Sequence, residues 1–202
     1  MLIQNLSEFF KKPITGCIHI GAHHAEEKSW YSNNNINEIV WIEANQDYYD
    51  IIRKEVNNDI IIISGVGNKN DEIEFNVSNN GQSSSFLELG THINNHSDVH
   101  YTEKKIIKIK KMESIYDEFN LDTKKYNFLN MDIQGYELEA LKGFGDILEN
   151  FDYVYTEINV EEVYKGCPLV SEIDDFLKKY SLKRVKTEIT PWGWGDALYI
   201  KN

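Results

Sequence analysis

Runs of β-branched and aromatic residues alternate with segments of helical periodicity along most of the chain. The apolar runs predict buried strands, namely CIHI, EIVWIE, DIIIIS, EIEFNV, KIIKIKK, YNFLNMDI and FDYVYTEI. Between them, apolar residues spaced three and four apart predict amphipathic helices over 26–33, 46–56, 112–119, 135–149 and 170–180. Strands that alternate with helices favour a parallel sheet with helices on both faces.

The pattern changes after residue 180, where two alternating runs, LKRVKTEI and DALYIKN, flank the turn TPWGWG. This order predicts a hairpin, and the two strands of a hairpin pair antiparallel. The sequence therefore predicts an α/β fold whose sheet is mostly parallel and contains one antiparallel strand.

Two segments fall outside this alternation. Residues 1–12 carry apolar side chains at helical spacing and predict an N-terminal helix that ends before Pro13. Residues 78–104 are polar and lack periodicity, and a long loop of this kind is usually functional or mobile. We expect this loop to lie over the site. Because no linker or repeat interrupts the chain, we expect a single domain over 1–202.

The charge balance narrows the class of partner. The 202-residue chain has a formal net charge of -12, which disfavours nucleic acids and anionic membrane surfaces. No apolar run has the length of a membrane span or the position of a signal peptide core. Cys17 and Cys167 are too few for a disulfide framework. We therefore expect a cytoplasmic protein, not inserted in a membrane, that acts on a small molecule.

The stretch IHIGAHHAEE (18–27) follows the first predicted strand. Gly21 permits a tight turn there, but the further glycines of a dinucleotide motif and the lysine of a Walker motif are absent. Glu43 ends the next strand, where a carboxylate can accept both hydrogens of a ribose diol. A ribose without a pyrophosphate indicates S-adenosylmethionine, whose sulfonium tolerates acidic surroundings.

Seven segments together suggest a family: IHIGAHHAEE, WIEAN, GVGNKNDEIEF, NNGQSSSFLELGTH, NFLNMDIQGYELEALKG, VYTEIN and GWGDALYI. With these segments the chain resembles an FkbM-type methyltransferase, a branch of the S-adenosylmethionine-dependent class I enzymes. MDIQGYELEALKG is the most specific segment, and His19 stands where the family commonly has an acid. The resemblance implies a Rossmann-like class I methyltransferase fold with a mostly parallel seven-stranded sheet, one antiparallel strand from a C-terminal hairpin, and helices on both faces.

The resemblance also implies methyl transfer from S-adenosylmethionine to a hydroxyl, often on a sugar or a glycosylated small molecule. We expect the cofactor to contact a set of residues at the strand ends and turns: His19, Gly21, Ala22, His23, Glu43, Asn45, Val66, Asp132 and Gln134. In particular, the backbone amides of Gly21, Ala22 and His23 are expected to bind the methionine arm.

Methyl transfer is an in-line displacement, so holding the hydroxyl oxygen close to the methyl group and collinear with the sulfur gives most of the acceleration. A base that removes the hydroxyl proton contributes a further ~10²–10⁴-fold. The candidate bases are Asp132, Glu157 and His23, although Asp132 also suits a helix N-cap. We expect the acceptor to contact Gln82, Ser83, Ser84, His92, His96, Tyr164, Trp194 and Asp196.

A metal site is the alternative for the histidines of HINNHSDVH, where His92, His96 and His100 recur every four residues. Because Asn94 and Asn95 are poor helix formers, we assign no metal ligands and favour an acceptor-facing loop. The turn TPWGWGDA likewise has two interpretations. It is either a hairpin turn with packing tryptophans or an aromatic platform for a sugar.

Two other classes of function share this architecture. A nicotinamide-dependent oxidoreductase is one, although the missing glycines speak against it. A module that keeps the fold without catalysis is the other, and it would bind neither cofactor.

Overall fold

A computed structural model describes residues 6–56 and 58–202. Its strands are β1 (Cys17–Ile20), β2 (Ile39–Glu43), β3 (Ile60–Ile63), β4 (Gly65–Val66), β5 (Asp71–Ser78), β6 (Tyr101–Lys110), β7 (Phe128–Met131), β8 (Tyr153–Asn159), β9 (Leu182–Ile189) and β10 (Trp194–Lys201). Seven of them form a central sheet in the order β3-β2-β1-β7-β8-β10-β9. β10 pairs antiparallel with β8 and β9, and the other pairs are parallel. The predicted sheet is confirmed.

Helices cover both faces of this sheet. They are α1 (Lys28–Asn33), α2 (Tyr49–Val56), α3 (His92–Asn95), α4 (Met112–Glu118), α5 (Glu137–Lys142) and α6 (Val170–Lys178). Buried side chains of α4, α5 and α6 pack against one face, and those of α1 and α2 pack against the other. Two apolar layers therefore enclose the sheet, as the alternation of strands and helices predicts. Among the described residues, no helix has the length and apolarity needed to cross a membrane.

A second, three-stranded sheet has the order β4-β6-β5. β5 and β6 form an antiparallel pair, and the short β4 runs parallel to β6. Phe75 on β5 contacts Phe86 edge to face, with ring centroids 4.9 Å apart. This small sheet places two aromatic rings beside the carboxyl end of the central sheet.

The N-terminal segment differs from its prediction. Residues 1–5 of the predicted helix lie outside the described residues, and Ser7–Phe9 form a single 3-10 turn. The ring of Phe10 packs among Trp30, Phe128 and Tyr153 at centroid distances of 6.2, 5.6 and 4.8 Å. Packing of this ring in the core ends the turn at an extended Phe10, before the predicted end.

The polar segment 78–104 is more ordered than its sequence predicts. It contains α3 and the first residues of β6, and Leu89 forms a bridge with Tyr164. Asn76 and Ser85 form two backbone hydrogen bonds with each other, which close the first part of the segment into a compact turn. These long-range contacts order a segment that has no periodicity of its own.

Candidate active site

Two cavities lie at the carboxyl ends of the parallel strands. The larger has a volume of about 620 Å³, and the smaller of about 60 Å³. Five residues line both of them: Gly21, His23, Gln82, Asp132 and Gln134. The loops after β1 and β7 therefore form the boundary between the two cavities, at the edge of the sheet where α/β proteins bind ligands.

Gly21 allows these two loops to touch. Its φ is 86°, and a Cβ at this position would lie 1.9 Å from the carbonyl oxygen of Asp132. Only glycine fits both the left-handed backbone and this close approach. The tight turn predicted at Gly21 is present.

The smaller cavity is a narrow slot between the central sheet and the small sheet. Val66, Phe75, Phe86 and the ring of Tyr48 line it, together with Glu43. Val66 is buried at the end of β4, beside the position where β3 ends. The slot thus offers apolar faces to a flat ring and one carboxylate at its edge.

Glu43 is almost fully buried, with 6% of its surface exposed. Its Oε2 accepts the backbone N–H of His23 at 2.9 Å, and its Oε1 accepts that of Asn45 at 2.8 Å. Burial raises the pKa of this carboxyl, against the effect of these two hydrogen bonds. A carboxylate has about four acceptor positions, so both oxygens keep capacity for a ribose diol.

The backbone amides of the turn after β1 donate hydrogen bonds to other groups of the protein. The N–H groups of Gly21 and Ala22 both donate to the carbonyl oxygen of Ile42, at 2.9 and 3.1 Å, and that of His23 donates to Glu43. In this conformation the three amides are hydrogen-bonded within the protein, and their binding to the methionine arm stays a prediction. Parallel pairing of β1 with β2 brings the carbonyl of Ile42 under the turn.

Three residues predicted to contact the cofactor lie away from both cavities. Ala22 is buried, and His19 stacks on Trp41 with ring centroids 4.9 Å apart. Burial lowers the pKa of His19 to about 4. The side chain of Asn45 accepts the N–H of Asp47 and the amino group of Lys105, so it caps a 3-10 turn.

The larger cavity gathers most of the predicted acceptor residues. Its lining includes Gln82, Ser83, His92, His96, Tyr164 and Trp194, and also Asp132, Gln134 and Glu157. Ser84 lines the smaller cavity instead, where its hydroxyl donates to the carbonyl of Gly81 at 2.7 Å. No lysine or arginine is present among the described residues that line the larger cavity. Its wall combines acids, imidazoles and aromatic rings.

A partly buried hydrogen-bond network joins the two predicted acids. The side-chain amide of Gln134 donates to Asp132 Oδ1 at 2.5 Å and to Glu157 Oε2 at 2.8 Å. Its carbonyl oxygen accepts the hydroxyl of Tyr164 at 2.5 Å. Gln134 has a φ of 54°, a left-handed conformation that directs this network. Such strain in a non-glycine residue is common at functional sites.

Glu157 is buried, and burial together with the charges of Asp132 and Glu137 raises its pKa well above the usual value. Burial and these two charges therefore disfavour loss of its proton. Asp132 is half-buried and lines both cavities, so it is the better placed base of the pair.

Glu137, at the start of α5, holds the turn after β7, and the sequence analysis missed it. Its Oε1 accepts the N–H groups of Ile133 and Gly135, both at 3.1 Å. Its Oε2 is buried without a hydrogen-bond partner among the described residues. Burial raises the pKa of this carboxyl to about 7. The sequence signal was an acid in the first turn of a helix.

One further expectation about the acceptor side changes. Asp196 is buried opposite Glu157 in the β8–β10 pair and lines neither cavity. Trp194, the first residue of β10, lines the larger cavity as predicted. Trp192 lies in the turn before β10, is 41% exposed and contacts the ring of His96.

The three histidines at four-residue spacing do not share a helix face. α3 ends at Asn95, and His96 already has a φ of -131°. His92 and His96 still approach each other, with ring centroids 4.9 Å apart. His100 instead contacts the carbonyl of Asp98. Poor helix formers shorten the helix, as the sequence predicts.

The sequence analysis also missed residues that line the larger cavity from α1 and the loops around it: Glu26, Glu27, Ser29, Trp30, Asn80, Val99 and Val163. Glu26 and Glu27 follow the histidines in the quoted motif, so their position in the sequence was a usable signal. Burial raises the pKa of Glu27 to about 7, and its Oε2 lies 3.9 Å from His19 Nε2.

Several solved structures with the same architecture are methyltransferases. A SAM-dependent methyltransferase from Aquifex aeolicus is 13% identical over 98% of this chain and 87% of its own, with a TM-score of 0.50. TrmK from M. capricolum, in complex with S-adenosyl-homocysteine, is 12% identical over 100% of this chain and 69% of its own, with a TM-score of 0.53. The ribosomal protein L11 methylase from Lactobacillus delbrueckii subsp. bulgaricus is 10% identical over 98% and 75%, with a TM-score of 0.52.

The fold is therefore that of the Rossmann-like methyltransferases. Within this class, the chain belongs to the FkbM methyltransferase family, because the Methyltransferase FkbM domain matches residues 19–183. The predicted family and type of enzyme are confirmed. No curated protein sequence matches the chain significantly.

The residues of the site fit S-adenosylmethionine at three points. The buried carboxylate of Glu43 faces the slot with free acceptor capacity, as a ribose diol requires. Val66, Phe75 and Phe86 offer apolar surfaces for an adenine. Asp132 lines both cavities and offers a carboxylate at their junction, where a cationic sulfonium and ammonium would be favourable.

Proposed function

We propose that this protein is an S-adenosylmethionine-dependent O-methyltransferase that methylates a hydroxyl of a sugar or a glycosylated small molecule. One observation carries the proposal: the cofactor slot meets, at Asp132, a larger cavity lined by acids, imidazoles and aromatic rings. S-Adenosylmethionine is the methyl donor, and it supplies an electrophilic methyl group on a sulfonium. The likeness to SAM-dependent methyltransferases and the FkbM family membership support this cofactor.

Four residues divide the work of binding the cofactor in this proposal. Glu43 accepts the ribose hydroxyls, and Val66 packs against the adenine. Asp132 and Gln134 lie at the junction of the cavities, beside the methionine arm. The charge of Asp132 also favours the cationic donor over its neutral product, which helps the product to leave.

Asp132 is the general base in this proposal. Gln134 holds its carboxylate through a 2.5 Å hydrogen bond, and Tyr164 fixes the other end of the same amide. Asp132 would take the proton of the acceptor hydroxyl while the hydroxyl oxygen bonds to the methyl carbon and the bond from that carbon to sulfur breaks, which would leave S-adenosylhomocysteine. Glu157, whose pKa is raised by burial, accepts a hydrogen bond from the same amide and orients it from the far side. His23, the remaining candidate, is hydrogen-bonded to Glu26 at 2.8 Å.

The cavity wall favours a neutral polyhydroxyl acceptor. Carboxylates repel phosphate and carboxylate groups, and no lysine or arginine among the described lining residues offsets them. Trp194, Tyr164 and Trp30 offer aromatic faces to the C–H groups of a sugar ring, while Gln82 and Ser83 offer polar groups to its hydroxyls. The net charge of -12 also disfavours a nucleic acid acceptor. A tRNA methyltransferase of B. subtilis has a similar fold, but a shared fold does not specify the acceptor.

The proposal includes a single methyltransferase domain over 1–202 in which the segment 78–104 borders the acceptor. Asn80, Gln82, Ser83, His92, His96 and Val99 of this segment line the larger cavity. It also includes a cytoplasmic location, which the two free, buried cysteines support.

The experiment that tests the proposal measures S-adenosylhomocysteine release from S-adenosylmethionine with matched acceptors. Each neutral monosaccharide is paired with its uronic acid and its sugar phosphate, and a tRNA pool is included. We expect turnover with neutral sugars and at least tenfold less with the anionic member of each pair. Turnover confined to anionic sugars or to tRNA would refute the assignment of the acceptor.

Binding of the cofactor is checked separately by thermal unfolding with S-adenosylhomocysteine. A ligand at 100 times its dissociation constant stabilises a protein by about 2.7 kcal/mol, which corresponds to roughly 5–10 °C for a domain of this size. No shift at millimolar ligand would contradict the proposed cofactor.

A further inference from the structure

The loop after β1 brings together three potential metal ligands: His23, His24 and Glu26. One ligand atom from each lies within 4.8 Å of the other two. Among residues 6–56 and 58–202, no other group of three histidine, cysteine or acidic side chains meets this distance. His92, His96 and His100, for which the sequence offered a metal site as the alternative, are not part of this cluster.

The backbone conformation of this loop explains why the side chains of two consecutive histidines lie next to each other. In an extended chain, consecutive side chains point in opposite directions. Here His23 and Ala25 are both left-handed, with φ of 43° and 58°. The rings of His23 and His24 consequently stack at 3.9 Å with an interplanar angle of 11°. Non-glycine residues rarely adopt this conformation, and two of them lie within three positions.

Other groups hold the cluster in place. Glu26 Oε1 lies 2.8 Å from His23 Nδ1, and its Oε2 accepts the backbone N–H of His24 at 3.2 Å. The ring of Tyr48 packs edge-on against both imidazoles, at centroid distances of 4.8 and 5.2 Å.

We propose that His23, His24 and Glu26 bind a divalent first-row transition-metal ion beside the larger cavity. Two imidazole nitrogens and one carboxylate suit zinc, cobalt, nickel or manganese better than magnesium or calcium, which prefer all-oxygen sites. Three protein ligands leave coordination positions open, as in catalytic rather than structural sites. His23 and Glu26 line the larger cavity. Those open positions take two neighbouring hydroxyls of the acceptor, a part of the inference that rests on the proposed function.

The test uses Co²⁺ as the probe with the full chain, stripped of metal by a chelator and free of any affinity tag. Calorimetry measures affinity and stoichiometry, and the visible absorption of Co²⁺ reports nitrogen coordination. We expect one saturable site per chain. His24→Ala and Glu26→Gln are each expected to weaken binding at least tenfold, and both variants change partly exposed loop side chains. His100→Ala, outside the cluster, is the matched control and should bind as the unmodified protein does.

Absence of saturable binding at 1 mM Co²⁺ would overturn the inference, and so would unchanged affinity in both His24→Ala and Glu26→Gln. Loss of binding in His100→Ala alone would overturn it as well. The thermal shift with S-adenosylhomocysteine, measured in the presence of the chelator, is independent of these results. Metal binding without that shift would refute the proposed function and leave the metal site standing.

Discussion

The two loops that meet at the centre of the site hold their side chains in different ways. The β1 loop (21–27) turns through two left-handed non-glycine residues and keeps its polar side chains partly in solvent. The β7 loop (132–136) donates hydrogen bonds to the buried carboxyls of Glu137 and Glu157, which hold it in place. Both loops follow adjacent parallel strands, and they touch at Gly21.

This difference separates two kinds of contribution. The hydrogen bonds of the β7 loop both position the catalytic side chains and stabilise the fold. Losing one of them lowers the free energy of unfolding, because a buried polar group left without a partner is costly. In the β1 loop, the contacts are nearer to water, so substitutions there should change ligand binding more than stability. The following substitutions test this comparison, in order of decreasing expected effect.

Asp132→Asn removes the proposed base from the β7 loop and keeps the shape of the side chain. We expect kcat to fall about 10²–10⁴-fold, the usual contribution of general base catalysis. The measurement is the rate of methyl transfer at saturating S-adenosylmethionine, with thermal unfolding as the check that the variant is folded. A folded variant within tenfold of the original kcat would show that Asp132 is not the base.

Glu137→Ala leaves the amides of Ile133 and Gly135 without their acceptor. We expect a loss of about 2–4 kcal/mol in the free energy of unfolding, since two buried donors become unsatisfied and a cavity forms. Urea denaturation measures this value. Glu26→Ala in the β1 loop is the control, and its loss should stay below about 1 kcal/mol. Equal losses in both variants would remove the distinction between the loops.

The pH dependence of stability should also differ between Glu137, the buried acid that holds the β7 loop, and His19, the buried histidine of β1. Burial raises the pKa of Glu137 to about 7, from 4.5 in the unfolded chain. The folded protein therefore binds this proton more tightly, and the contribution of Glu137 falls as pH rises from about 4.5 to 7. His19 on β1 has the opposite sign, because its lowered pKa of about 4 costs stability as pH falls below about 6.5.

Glu137→Gln should remove the first of these contributions. We expect the free energy of unfolding of the variant, relative to the original protein, to rise by about 2 kcal/mol between pH 4.5 and pH 7. Urea unfolding at three pH values gives this difference. A constant difference across the range would mean that Glu137 titrates normally in the folded protein.

Glu43→Gln removes the charge at the cofactor slot and keeps one acceptor oxygen. We expect S-adenosylhomocysteine to bind about tenfold more weakly, since a hydrogen bond to a charged group is stronger than one to a neutral group by about 1.4 kcal/mol. Isothermal calorimetry measures the affinity. Asn45→Ala, whose side chain lies outside both cavities, should bind within twofold of the original protein. A larger loss of affinity in Asn45→Ala would show that Asn45 contributes to cofactor binding.

Local patterns in the sequence predict the parts of the site that lie on strand ends. Gly21, Glu43 and Asp132 each follow or end a short apolar run, and parallel strands bring such ends to one edge. The sheet and its antiparallel strand were predictable for the same reason. Alternation of strands and helices, followed by a hairpin, leaves few topologies.

Residues whose roles depend on distant contacts were not predictable in this way. Phe86 reaches the cofactor slot because of its packing on Phe75 of the small sheet. Asp196 is buried opposite Glu157 by the register between β10 and β8, and it lines neither cavity. Asn45 was predicted to bind the cofactor, but its side chain caps a 3-10 turn and accepts the amino group of the distant Lys105. Periodicity in the sequence contains no information on any of these pairings.

The position of β10 has a consequence for how the protein is made. β10 lies between β8 and β9 in the sheet but follows both along the chain. During vectorial synthesis, β9 has no partner in the sheet until β10 has left the ribosome. The wall of the larger cavity that contains Trp194 forms in the same late step. A ribosome that stalls before residue 194 therefore holds a chain with a cofactor slot but an incomplete acceptor cavity.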